Sequence, residues 1–111
     1  MSVEADLRAA VAALGNIPGG PILPVTTTAP ELPWCVFRIP TLDICGQYVQ
    51  QSRENPLLGA MGLARVCMVA APEGFSLEPL IASKPFVVMR AVQVLLAEMG
   101  LSTRAEKKSL N

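Results

Sequence analysis

Three thiols, two carboxylates and two arginines set in apolar runs are the side chains of this 111-residue chain whose types could do chemistry. Cys35, Cys45 and Cys67 are odd in number and form no C-x-x-C pair, and the sequence has no histidine. A disulfide framework and a Cys/His zinc site are therefore not indicated, and the cysteines read as buried thiols of a reducing compartment. A cysteine nucleophile needs a basic neighbour to lower its pKa, and none is legible beside them. Asp43 and Glu54 could serve as a carboxylate pair, but solvated loop charges explain them more simply. "GNIPGG", residues 15–20, has the glycines of a phosphate loop without the Lys-Ser/Thr that would follow, and reads as a plain turn. No G-x-S-x-G, G-x-G-x-x-G or H-E-x-x-H pattern occurs. The reading is a protein without catalytic residues, metal or cofactor, and not an enzyme. Arg38 and Arg65 suit association better, because a guanidinium projecting from a sheet can make a two-pronged ion pair across an interface; the competing reading is that both face solvent.

The elements that must position these groups begin with the totals. A chain of this length forms one domain, assigned to residues 1–101, followed by a polar tail at 102–111. Apolar residues make up 51% and charged residues 16%, at zero formal net charge. That is oily for a domain with so large a surface to cover. The balanced charge supplies no field to attract nucleic acid or an anionic membrane, so sequence-specific nucleic-acid binding is not expected. No secretory signal pattern is visible at the start, and Arg65 and Arg90 interrupt the two longest apolar runs before a bilayer-spanning length of about 18 residues is reached. A soluble chain made in the cytosol is expected.

Along the chain, Ser2 caps a first helix that runs to Leu14, with Glu4 and Asp6 near its positive end and Gly15 as its stop. Val3, Leu7, Ala10, Val11 and Leu14 form its apolar face. A long Pro/Gly loop follows, with a short extended piece at Ile22 to Thr27. "WCVFRI", residues 34–39, reads as a strand that puts Trp34, Val36 and Arg38 on one face and Cys35, Phe37 and Ile39 on the other. Residues 43–52 read as a second strand bulged at Gly46, "SRENPLLG" as an exposed connection, and residues 63–72 as a third strand closed by Pro72. Short connections imply an antiparallel sheet. Ser76 with Pro79 and Ser83 with Pro85 mark two successive helix starts, a short helix and then a main helix from Lys84 to Met99 stopped by Gly100. The fold class is α+β: a small antiparallel sheet of three to four strands packed on an N-terminal helix and a long C-terminal helix.

The last helix is apolar on nearly every side. Val88, Met89, Val92, Leu95, Leu96 and Met99 suffice as its core stripe, which leaves Phe86, Val87 and Val94 on the far side around Arg90. Burying such a side chain stabilises by roughly 1.5 to 3 kcal/mol, so leaving three in water forgoes about 5 to 9 kcal/mol as an upper bound. That is comparable with a whole domain's net stability. The Pro/Gly loop could cover this face, or a neighbouring subunit, or a small molecule. Phe86, Val87, Arg90 and Val94, with Arg38 and Arg65, form the expected subunit interface.

The order of "VEADLRAAVAAL", a loop, "LPWCVFRI", a variable excursion, "LARVCMVAAP" and "KPFVVMRAVQVLLAEMG" resembles the tail-terminator, or tail-completion, proteins of long-tailed bacteriophages over residues 2–100. The family's further strand after the last helix has no counterpart in the polar tail. The resemblance implies a virion protein assembled in the host cytoplasm, a homo-oligomeric ring, typically a hexamer. It would cap the tail tube and join it to the head-side connector, with tail-tube and connector proteins as partners and neither membrane nor small-molecule substrate involved. The alternatives are a non-viral homo-oligomeric interaction module and a small-molecule-binding domain.

Overall fold

In the computed structural model the described residues are 3–14 and 21–100; the Ser2 cap, the Gly15 stop, the turn at 15–20 and the tail at 102–111 lie outside them. The described elements are α1 (Val3–Leu14), β1 (Ile22–Thr26), β2 (Trp34–Arg38), α2 (Leu42–Glu54), α3 (Pro56–Cys67), β3 (Met68–Ala70), α4 (Leu77–Ser83) and α5 (Pro85–Glu98). The three strands form one antiparallel sheet in the order β1-β2-β3, an α+β arrangement.

β2 is central, and its alternation has an apolar residue on each side for most of its length. Cys35 and Phe37 join Val25 and Leu32 in a core completed by Ala60, Leu63, Ala64 and Cys67 of α3 and by Val88, Ala91, Val92 and Leu95 of α5. Trp34 and Val36 are also buried but stand outside that cluster, on the opposite face. Pro24 and Thr26, which pair with Val36 and Trp34, share this second face, and α1 lies against it across β1 and β2. The layers are therefore α1, the sheet, then α3 with α5. A strand buried on both faces reads as a continuous apolar run, which is why "WCVF" has no polar alternate.

The excursion after β2 is helical, not stranded. Residues 43–52, expected as a bulged strand, belong to α2, and residues 63–67 of the expected third strand are the end of α3; only Met68–Ala70 is extended. The local cause is capping. The Thr41 hydroxyl accepts from the Ile44 N–H at 3.4 Å, and Asp43 sits in the positive first turn of α2. Asn55 ends α2 and starts α3: its N–H donates to the Gln51 carbonyl at 3.0 Å, while its side-chain oxygen accepts from Leu57 and Leu58 at 3.1 and 3.2 Å. Pro56 follows at the first helical position, where its missing donor costs nothing. The supposed connection "SRENPLLG" is thus a helix end, a shared cap and a helix start.

α2 and α3 pack as an antiparallel hairpin, so the chain returns to the end of the sheet it left, and β3 runs antiparallel to β2 despite two intervening helices. The expected antiparallel sheet is present, but the short connection offered as its reason is not. The β2-β3 register shifts between Val36 and Phe37, leaving Val69 as the extra residue.

The two successive helix starts are where the sequence placed them, with Lys84 as a cap and α5 beginning at Pro85. The axes of α4 and α5 meet at 113°. Lys84 forms an ion pair with Glu31, tying this corner to the loop that carries the buried Leu32. Gly100, with φ at 77°, adopts the left-handed conformation that ends α5. No single described helix is long and apolar enough to cross a membrane.

The outer edge of the sheet carries a proline. Ile39 N–H donates to Pro21 C=O at 2.9 Å and Thr27 N–H to Pro33 C=O at 3.0 Å. With the register Leu23 to Phe37 and Val25 to Cys35, the odd positions of β1 face β2 in the ladder and Pro24 points its donorless nitrogen outward.

Candidate functional site

α5 divides as a 3.6-residue period requires. Val88, Ala91, Val92, Leu95 and Leu96 are buried, while Phe86, Arg90 and Val94, each four residues from the next, line the outer face. Phe86 is 68% exposed and Val94 44%. Val87 is half-buried and packs against the core, so two of the three unsheltered apolar side chains expected there are in water. The β1-β2 loop does not cover them: Leu32 goes into the core beneath α5 instead. Arg90 is exposed between Phe86 and Val94 and has no ion pair among the described residues.

The two remaining residues of the expected interface belong to other elements. Arg38 ends β2 opposite Ile22 and is half-buried, with its Nε enclosed and unpartnered among the described residues. Arg65 is not on a strand; it lies on α3 and grips Glu78 of α4 within the same chain. Its two-pronged pairing exists, but as an intramolecular one. The structure thus gathers Phe86, Val87, Arg90 and Val94 on one helix and assigns Arg65 a different job.

Two grooves went unseen in the sequence. One, of about 220 Å³, runs between α2 and α3 past Ile44, Tyr48, Gly62 and Val66. It exists because the hairpin is helical, and the Asn-Pro cap was its available signal. The other, of about 290 Å³, lies between α1 and β1 and is lined by Glu4, Leu7, Arg8, Val11 and Pro24. It depends on which sheet face α1 chooses, a long-range choice that no local pattern encodes.

The thiols are placed for packing. Burial pushes Cys35 up to about 12, and burial with the neighbouring Cys45 pushes Cys67 up to about 11, although the Arg38 charge acts in the opposite sense. Both are protonated and weakly nucleophilic near neutral pH. The three cysteines are free, with Cys45 half-buried. No group of three or more metal-ligating side chains occurs among the described residues. No protein-family model, no curated protein and no solved structure matches this chain.

Proposed function

We propose that the protein is a structural subunit that works by self-association through the outer face of α5. The observation that carries this reading is the exposed row of Phe86, Arg90 and Val94 on a helix whose other side is the core of the domain. An exposed phenylalanine and valine flanking a cation with no ion pair among the described residues make an apolar centre with a directional charge, the composition of an association surface.

The particular assembly proposed is the ring of a tail terminator or neck component of a long-tailed bacteriophage, meeting tail-tube and connector proteins. Its support is the order of an N-terminal helix, an extended loop, a proline-led strand and a terminal apolar helix. The helical hairpin of α2 and α3 departs from that pattern, which has strand in part of this region. A non-viral homo-oligomeric module would use the same face of α5.

Sedimentation of the purified protein across a wide concentration range tests the general reading, and negative-stain images test the ring. Association lost on Arg90→Glu with the fold intact is the expected outcome. A wild-type chain that stays monomeric at tens of micromolar in low and high salt overturns self-association, and open or irregular oligomers overturn the ring.

A further inference from the structure

The outer face of α5 and the groove between α1 and β1 lie on opposite sides of the sheet, because α5 packs on the Cys35 and Phe37 face while α1 packs on the face of Pro24, Trp34 and Val36. Resting on the self-association proposed above, we propose that the Phe86–Arg90–Val94 row of one copy docks in the α1/β1 groove of the next, with Arg90 paired to Glu4 across the contact.

The groove is suited to an apolar helix face. Leu7, Val11 and Pro24 give it apolar walls, and none of the described residues of α1 is fully buried within its own chain. Charge selects the pairing. Glu4 stands on the groove, Arg90 stands at the middle of the row, and neither has an ion pair among the described residues. The obvious competitor is α5 against α5 about a two-fold axis. That arrangement sets Arg90 opposite Arg90, where like charges in a desolvating contact oppose association. Row into groove avoids this. It is also heterologous, so that an open series keeps one unused row and one unused groove, at its two ends, until it closes on itself.

Charge exchange tests the proposal by sedimentation velocity, with circular dichroism melts confirming that each variant folds. Glu4→Arg and Arg90→Glu are each expected to weaken association by roughly tenfold or more, and the double variant E4R/R90E to recover most of it. Mixing the two single variants gives the sharper result. The row of the E4R copy meets the groove of the R90E copy as in the wild type, and the row of the R90E copy meets the groove of the E4R copy with the charges exchanged, so the mixture should associate as an alternating series although each variant alone does not. An E4R protein that associates like wild type while R90E does not would overturn the groove and leave α5 self-association standing. A double variant that stays monomeric would overturn the pairing. A monomeric wild type would overturn both readings. If E4R disturbs α1, Glu4→Gln, which adds no cation at the helix start, repeats the test and should also weaken association.

Discussion

Arg65 of α3 holds Glu78 of α4 by two parallel hydrogen bonds, Nε to Oε2 at 2.7 Å and a terminal guanidinium nitrogen to Oε1 at 3.0 Å. The pair joins the hairpin to the segment leading into α5, across 13 residues of chain.

This contact gives stability an acid dependence. The hydrogen bond from Arg65 holds the Glu78 carboxyl below its ordinary value of 4.5, and Lys84 does the same for Glu31. The unfolded chain therefore binds these protons more readily than the folded one. The stabilisation is present above the ordinary carboxylate range and is lost as pH falls through the lower folded values. Thermal melts followed by the buried Trp34, the only tryptophan, should show a falling midpoint below about pH 4.5. Glu78→Gln should flatten part of that fall. High salt should weaken the contribution, since both partners are exposed.

Two glycines of the hairpin should respond to the same substitution with opposite signs. A Cβ on Gly59 would meet the Ser52 Oγ at 2.3 Å and the Ser52 backbone nitrogen at 3.0 Å, so α2 and α3 would have to separate. Gly59→Ala should destabilise by about 1 to 3 kcal/mol, the usual range for overpacking. Gly46 on α2 has nothing within 4 Å of such a Cβ. Gly46→Ala should stabilise by about 1 kcal/mol through helix propensity alone. Urea titrations of the two variants check the contrast.

The thiols should be distinguishable by labelling. At pH 8 the folded protein should expose the half-buried Cys45 to a maleimide first, with Cys35 reacting only as the domain opens. Because burial raises Cys35 from 9.0 to about 12, its stabilising contribution is complete below 9 and declines as the unfolded thiol ionises. Melting midpoints should therefore fall between pH 9 and 12, and Cys35→Ala should reduce that slope.

Local signals in the sequence were enough for α1, β2, the α4-α5 corner and the outer row of α5, because each is set by caps, prolines or a period within one segment. The hairpin was misread for a physical reason. Ile44, Tyr48 and Val49, then Val66 and Cys67, favour strands on intrinsic preference, whereas Thr41, Asn55 and Pro56 supply helix starts, and the caps prevailed. Gly46, which suggested a bulge, lies within an exposed helix with open space beside it. The face of α5 was legible from its own residues. The groove beneath α1 was not, since Pro24 and Leu7 become neighbours only when the sheet and helix dock.

Pro24 bears on what the rim of the sheet can accept. An exposed strand with alternating free donors and acceptors invites another strand to zip onto it, the route to runaway fibrils. Here the middle of the β1 rim has no hydrogen to offer, and β3, at the opposite rim, is three residues long and kinked by its extra residue. Neither flank is a good template, so the sheet ends within one copy and offers no ladder for a neighbour to extend.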